Sequence, residues 1–363
     1  MELLIKNEEG RMKKSLRILS MLLVLVMFLG IISGCTEQKT EQRIVCLAPN
    51  MVEVVYALGF GDQIVGWSAY TDYPPEVEDR PGWTDYHYYE YTDAADFDVE
   101  AELAKDVAVV SKFYDYNATI VERLEPTLIL GEGTDQEPMC AELTEKGYLA
   151  MNFTPTSIAD IYDMMISVGE ALGVKKYAEE LVAGYKADIA EIQAITSTLE
   201  SVPVYFEIAH QMTYEYDGTV YTYGPYTEAA GTPFDEMIEI AGGTNLFNDV
   251  EGDYIEVTFA DVVERNPAVI LSPYWPGAGE FEVTSIYEIM TRPNFNLISA
   301  VQAGRVYFYD SSLMKRFGPR TVTAIKKLAY LLHPYYFENP DNSVSPWELG
   351  KIDIFEEAPV SLH

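Results

Sequence analysis

Short apolar runs that alternate with helical segments constrain the fold of this chain more than any other feature. Ile44–Leu47, Ile64–Trp67 and Val107–Val110 are continuously apolar. Runs of this length are typical of strands that are buried on both faces. Segments with helical spacing lie between them, as at 118–124. The alternation predicts an α/β fold with mostly parallel sheets and helices on their faces.

The second half of the chain repeats this pattern, and 363 residues suffice for two hydrophobic cores. We therefore predict two Rossmann-like lobes, at 43–155 and 201–337, with a peripheral tail at 338–363. The predicted strands of the second lobe are 204–208, 269–271 and 306–309, and its predicted helices are 234–241, 260–264, 285–290 and 321–332.

A long helical stretch, 156–200, separates the two halves. Ser157 begins it as an N-cap residue, and apolar residues recur at helical spacing on both sides of Gly173. No Gly/Ser-rich linker is present, so we predict that a single long helix joins the lobes. Nearer the N-terminus, Asn50 with Glu53 three residues later predicts a capping box for the first helix.

The N-terminus has the pattern of an export signal. Basic residues precede an apolar run at 18–32, which is short for a membrane-spanning helix of about 20 residues. The sequence Ile-Ser-Gly before Cys35 resembles a lipobox, and a polar tether, 35–42, follows. We expect 1–34 to be removed and Cys35 to be lipidated on the extracytoplasmic side of the membrane. A permanent membrane anchor is the alternative.

Composition and motifs argue against several function classes. A net charge of −34 opposes binding to nucleic acid. The four histidines are not at metal-ligand spacing, and Gly-x-Ser-x-Gly, Walker A and Cys-x-x-Cys motifs do not occur. We therefore predict a protein that is not an enzyme and that has no resident cofactor or metal.

Aromatic residues cluster just after the predicted strands. In open parallel sheets, ligands bind beyond the carboxyl ends of the strands, and tyrosine offers a flat apolar face with a polar hydroxyl. For any single ring, core packing is the simpler interpretation, but the coincidence over four strand ends favours a ligand site. Examples are Trp67, Tyr70, Tyr73, Phe113, Tyr114, Tyr116, Tyr214, Tyr221, Tyr223, Tyr274 and Trp275.

The chain resembles the substrate-binding proteins of iron-chelate and cobalamin ABC importers from Arg43 to about Pro334. This resemblance implies two α/β lobes joined by one long helix, a ligand cleft between them, and delivery of a metal chelate to a membrane permease. The matching blocks are RIVCLAPNMVEVVYALGFGDQIVGWSAYTDYPPEV, PFDEMIEIAGGTNLF, RNPAVIL, AGRVYFYD and RFGPRTVTAIKKLAYLLHP.

The resemblance also implies site residues. Tyr70 precedes the DYPP turn, where cobalamin-binding members place a ligand-contacting tyrosine, and Tyr254 matches one of their tryptophans. Arg316 stands near an arginine that siderophore-binding members use. With the rings found from the strand ends, the predicted ligand-binding residues are Tyr70, Trp83, Phe113, Tyr114, Tyr223, Tyr254 and Arg316.

Permease docking is less well matched. Members of the family usually carry one glutamate on each lobe for this purpose, and those positions here are Thr119 and Ala260. The nearby acids Glu122, Asp261 and Glu264 are the predicted substitutes.

An insertion at 80–106 is the largest departure from the family. It carries eight acidic and two basic residues with six aromatic rings, among them Trp83, Tyr86, Tyr88 and Tyr89. One interpretation is a solvated surface loop. The other is a flap over the cleft that contacts the ligand or the permease, because the insertion starts near a strand end.

The predicted function is a lipid-anchored, monomeric receptor that feeds a metal chelate to an ABC permease and its ATPase. Ferric siderophores and corrinoids are the two expected ligand classes, and haem is less favoured. A cell-surface hydrolase that uses cleft carboxylates, or a sensor or adhesion module on the same fold, are the alternatives.

Overall fold

Two α/β lobes make up the part of the protein that the computed structural model describes, residues 42–84, 92–209, 212–216, 219–274 and 286–337. The N-terminal lobe contains a five-stranded parallel sheet. Its strands are β1 (Ile44–Cys46), β2 (Ile64–Ser68), β3 (Ala108–Ser111), β4 (Leu128–Glu132) and β5 (Ala150–Phe153), in the order β3-β2-β1-β4-β5. Its helices are α1 (Pro49–Ala57), α2 (Val99–Leu103), α3 (Ala118–Arg123) and α4 (Glu137–Glu145).

The C-terminal lobe is built on a four-stranded parallel sheet with two small antiparallel ladders beside it. Strands β6 (Val202–Phe206), β10 (Gly243–Asn245), β12 (Val269–Tyr274) and β13 (Val306–Asp310) form the sheet in the order β10-β6-β12-β13. The ladders pair β7 (Met212–Tyr216) with β8 (Thr219–Tyr223), and β9 (Tyr226–Glu228) with β11 (Tyr254–Glu256). The helices are α7 (Pro233–Ile240), α8 (Phe259–Arg265), α9 (Ile286–Thr291), α10 (Ser299–Gln302), α11 (Ser311–Lys315) and α12 (Thr321–Leu332).

The stretch 156–200 is two helices, α5 (Ile158–Ala171) and α6 (Lys175–Thr196), so the prediction of one continuous linking helix is wrong. Gly173 adopts a left-handed conformation with φ of 76°, and the chain reverses there. The Lys186 ammonium lies 5.2 Å from the ring centroid of Tyr162, which shows that the two helices pack antiparallel. The predicted N-cap is confirmed, since Ser157 Oγ accepts from the Asp160 amide at 3.1 Å.

One apolar cluster runs through the N-terminal lobe, the α5–α6 pair and one face of the C-terminal sheet. In β6, Val204 and Phe206 belong to this cluster, whereas Tyr205 between them belongs to a second cluster confined to the C-terminal lobe. This alternation follows from the two-residue period of a strand. The helix pair therefore packs into both lobes instead of spanning open solvent.

The described flanks of the insertion pack onto the N-terminal lobe. Arg80 donates to the carbonyls of Gly61 and Ile64 at 2.9 and 3.2 Å and pairs with Asp106. Phe97 is buried against the core. The tip with Tyr86, Tyr88 and Tyr89 lies outside the described residues, as do 1–41 and 338–363, so the flap stays a prediction. In the described part, no helix combines the length and the apolar character that a membrane crossing requires.

Candidate functional site

The carboxyl ends of β3 and β4 bring aromatic and acidic side chains to one edge of the N-terminal sheet. Phe113 and Tyr114 follow β3 and pack edge to face with ring centroids 5.1 Å apart. Tyr114 is 75 % solvent-exposed, whereas Phe113 is half-buried. The buried Gln136 amide donates to the carbonyls of Leu47 and Phe113, at 3.0 and 3.2 Å, and so fixes this loop against the sheet. Glu132 is the last residue of β4.

The β9–β11 ladder supplies the facing side chains of the C-terminal lobe. Tyr254 stands opposite Glu228 in this ladder, and its ring is 60 % exposed. The Glu228 carboxylate is buried and accepts from Thr232 Oγ1 at 2.8 Å. The positive charge of Lys315, from the end of α11, also acts on Glu228.

Tyr254 lies between the two lobes. The pKa of its hydroxyl is raised first by desolvation and then by Glu228 of its own lobe and Glu132 of the N-terminal lobe. Tyr114 of the N-terminal lobe contributes to the same shift. An exposed ring whose hydroxyl is still desolvated lies in a cleft, where protein atoms surround it on several sides. Two exposed tyrosines, one from each lobe, therefore lie close enough to act on each other electrostatically.

The carboxylates of this cleft are desolvated. Burial raises the pKa of Glu132 to about 7. Burial also raises the pKa of Glu228 to about 7, against the opposing effects of the Thr232 hydrogen bond and the Lys315 charge. Desolvation lowers the pKa of Lys315 in the same region, and the charge of Glu228 opposes that change.

Two arginines that follow α11, in the C-terminal lobe, contact the N-terminal lobe directly. The Arg320 guanidinium holds the buried Glu53 carboxylate through two bonds of 2.8 and 2.6 Å and lies 4.2 Å above the ring of Tyr73. Arg316 pairs with Asp72 and donates to the carbonyl oxygen of Tyr70 at 3.1 Å. Desolvation raises the pKa of Glu53 by more than Arg320 lowers it.

This contact overturns the capping box that the sequence predicts for Asn50 and Glu53. Helix α1 begins at Pro49, and its N-cap residue, Ala48, offers no side-chain bond. Asn50 donates instead to the Phe317 carbonyl at 3.0 Å, and Glu53 pairs with Arg320. Both side chains point to the other lobe, which local sequence cannot reveal.

The other predicted ligand residues differ in how far they are buried and in what they contact. Tyr70 is half-buried and meets Arg316 through its backbone carbonyl. Trp83 is half-buried, packs against the core and donates its indole N–H to the Thr71 carbonyl at 3.0 Å. Tyr223 ends β8 and is 37 % exposed. Their ligand-binding roles stay predictions.

The predicted docking acids differ in their surroundings. Glu122 on α3 forms an ion pair with Lys146 at 3.0 Å. Asp261 completes a capping box with Thr258 at the start of α8. This structural role accounts for an acidic residue at position 261 without any contact to a permease. Glu264 is exposed on α8. Of the three, Glu264 is exposed and forms no ion pair or capping bond within the described residues.

Sequence reasoning missed Glu132, Glu228 and Lys315. A signal existed for Glu132, because a carboxylate at the end of an otherwise apolar strand is costly unless it serves a purpose. No such signal marks Glu228, which lies in a short ladder that the apolar pattern does not reveal. In the described residues, no group of three or more His, Cys, Asp or Glu side chains is arranged to hold a metal ion.

Two parallel-sheet lobes joined by one helical connection, with a cleft between them, define the architecture of class III periplasmic binding proteins. The chain belongs to the Periplasmic binding protein family, whose model matches residues 44–313.

Three similar proteins support the assignment. The uncharacterized ABC transporter substrate-binding lipoprotein YvrC of Bacillus subtilis (strain 168) is 26 % identical over 310 residues, covering 84 % of this chain and 83 % of that protein. A vitamin B12-binding protein of Vibrio cholerae serotype O1 is 21 % identical over 80 % of this chain and 89 % of its own length. The solved structure of the periplasmic heme-binding protein RhuT from Roseiflexus sp. RS-1 matches with a TM-score of 0.62 at 21 % identity, covering 81 % of this chain and 99 % of that one.

Proposed function

We propose that this protein is the extracytoplasmic, lipid-anchored substrate-binding component of an ABC importer. Its proposed cargo is a metal chelate, either a ferric siderophore or a corrinoid, with haem as a third candidate. The chelate is cargo, not a resident cofactor, and the protein delivers it unchanged. Family membership supports the general role, and relatives named for binding vitamin B12 and heme support a large, flat ligand.

The observation that carries this proposal is the pair of exposed tyrosines from opposite lobes, Tyr114 and Tyr254. Single exposed rings are common on protein surfaces, whereas two exposed rings from opposite lobes that act on each other electrostatically are typical of a ligand cleft. A flat, partly apolar ligand between two such rings gains contact area on both faces, while the hydroxyls remain free to bind its polar edge. A macrocycle or a compact metal chelate has this shape.

A ligand titration tests the proposal. The purified protein is titrated with cobalamin, haem and several ferric siderophores, and binding is followed by quenching of tryptophan fluorescence. We expect at least one chelate to bind with a Kd below about 100 μM, equivalent to roughly −5.5 kcal/mol. Failure of all of them to reach this affinity contradicts import of a metal chelate.

The lipid anchor depends on Cys35, which lies outside the described residues. We expect Cys35→Ser to release the protein from membranes or to block its processing. A variant that stays membrane-bound after a carbonate wash would show that the apolar run at 18–32 is the anchor instead.

The permease contact is proposed to use Glu264, with Glu122 and Asp261 as weaker candidates. A charge reversal, Glu264→Lys, should reduce the stimulation of transporter ATPase activity while ligand affinity stays unchanged, because Glu264 is exposed on α8. Lys176→Glu reverses another exposed charge, on α6, and is the control. Equal stimulation by both variants contradicts docking through this position.

A further inference from the structure

Among the described acids of the cleft, Glu132 combines desolvation with a carboxylate that has no partner. Its backbone amide donates to Gln136 Oε1 at 3.0 Å, and its position ends β4 beside Phe153. Within the described residues, the carboxylate forms no hydrogen bond and no ion pair. Desolvation raises its pKa, and no cation of the described residues offsets that effect.

Three cations of the C-terminal lobe that lie near the N-terminal lobe or near Glu228 already act on other acids. Arg320 holds Glu53, and Arg316 holds Asp72. Lys315 acts on the buried Glu228.

Among the described residues, the charged groups that act on Tyr254 together with Glu132 are the acids Glu228 and Asp253. The charge of Glu132 raises the pKa of the Tyr254 hydroxyl, so the two side chains lie near each other. Asp253 and Tyr114 raise the pKa of the same hydroxyl. Asp253 is exposed, so it is well hydrated, whereas Glu132 is largely withdrawn from water. A desolvated carboxylate without a counter-charge is unfavourable in the empty cleft and becomes favourable when a ligand brings a cation to it.

We propose that Glu132 selects the charge of the cargo, so that the cleft prefers a chelate with an accessible cationic group over its neutral counterpart and rejects anionic chelates. This proposal rests on the proposed function, since it names the ligand class of the same cleft. A ligand ammonium, or a cationic metal centre, beside Glu132 supplies the missing counter-charge between the two tyrosine rings. A polyanionic chelate brings like charge to the same place.

Pairs of chelates that differ only in charge test this selection. Ferrioxamine B carries an ammonium group, and its N-acetylated form is the neutral match. Aquacobalamin is cationic, and cyanocobalamin is its neutral match. At pH 8, where Glu132 is ionised, we expect the cationic member of at least one pair to bind about tenfold more tightly. Ferric enterobactin, an anionic catecholate chelate, should bind most weakly.

The variant Glu132→Gln removes the charge and keeps the shape of the side chain. It should reduce the preference for the cationic member to about twofold or less, chiefly by weakening that member. Glu191→Gln, an exposed site on α6, removes the same net charge from the protein and should leave the preference intact. The control separates the local effect of Glu132 from the general attraction of an acidic protein for cations.

The outcomes separate this proposal from the one on which it rests. If no chelate of any charge binds the wild-type protein, the proposed function fails and this inference fails with it. If chelates bind but the wild type shows no preference within either pair, or if Glu132→Gln keeps that preference, the inference fails while the proposed function stands.

Discussion

Two regions between the lobes treat charge in opposite ways. In the first, Arg316 and Arg320 of the C-terminal lobe pair with Asp72 and Glu53 of the N-terminal lobe. In the second, the hydroxyl of Tyr254 lies within electrostatic range of Tyr114 and of Glu132, which has no cationic partner in the described residues. The charges of the first region are paired within the protein. The second region has a desolvated carboxylate and exposed rings, as the proposed ligand site would require.

The difference teaches that holding the two lobes together requires paired charges, whereas binding a ligand requires groups that the protein itself leaves unpaired. A buried, bidentate charge pair favours one arrangement of the lobes, because separating its partners leaves a buried charge without a counter-charge. A cleft that must accept a ligand keeps groups without partners, and this lowers the stability of the empty protein. The predictions below test this contrast, from the largest expected effect to the smallest.

Removing Arg320 should have the largest effect. Arg320→Met leaves the buried Glu53 carboxylate without a partner and should lower the free energy of unfolding by about 3 kcal/mol, measured by urea denaturation at pH 7. The double variant with Glu53→Gln should recover much of this loss, because it contains no unpaired buried charge. A loss below about 1 kcal/mol in the single variant would show that the pair contributes little.

Glu132→Gln should raise the free energy of unfolding of the ligand-free protein, whereas Arg320→Met should lower it. The pKa of Glu132 in the folded protein is about 7, above its ordinary value of 4.5, so the folded state holds this proton more tightly than the unfolded state does. The resulting loss of stability is absent below pH 4.5 and develops as the pH rises through 7. We expect a gain of about 2 kcal/mol at pH 8 that shrinks as the pH falls toward 4.5. The same gain at pH 8 and pH 5 would contradict this explanation.

Tyr114→Ala should affect binding and not stability. The ring is 75 % exposed, so its loss removes little core packing, whereas affinity for the chelate should fall about tenfold. Tyr287→Ala on α9 removes a ring that is 62 % exposed and is the matched control. The titration described above measures both variants. An equal, small change in both would remove Tyr114 from the site.

Asp72→Asn should have a smaller effect than the loss of Arg320. The Asp72 side chain is 43 % exposed, so water screens its pairing with Arg316, and the free energy of unfolding should fall by less than about 1 kcal/mol. The loss should also shrink in 0.5 M salt, in contrast to that of Arg320→Met. If Asp72→Asn proves as costly as Arg320→Met, the two arginines form one coupled unit.

The smallest expected effect is the change in overall dimensions on ligand binding. Helices α5 and α6 pack into one apolar cluster with both lobes, so a wide hinge motion would break that core. We expect the radius of gyration from solution scattering to stay nearly unchanged at saturating ligand. A large contraction would show that the lobes close around the ligand more freely than this packing allows.

Much of the fold was predictable because the signals are local. The strand and helix periods of the sequence correctly predicted both parallel sheets, and Ser157 was recognised as a helix cap. The break between α5 and α6 was visible as Gly173, but the reversal was not predicted, because a glycine permits a left-handed turn without requiring one. The strand ends predicted Tyr114 and the family resemblance predicted Tyr254, and the structure brings the two hydroxyls within electrostatic range of each other, while their ligand-binding roles stay predictions.

The sequence by itself therefore determined the main strands and helices and the two lobes, since these depend on periods of a few residues. Only the tertiary structure decided which charges meet. Asn50 and Glu53 have the spacing of a capping box, yet they bind Phe317 and Arg320, which are 267 positions away in each case. The raised pKa of Glu132 arises in the same way, because its burial is a property of the assembled lobes and not of the local sequence. Electrostatic interactions act across space between residues that no local pattern connects, and so the chemistry of the site emerges only when the lobes are brought together.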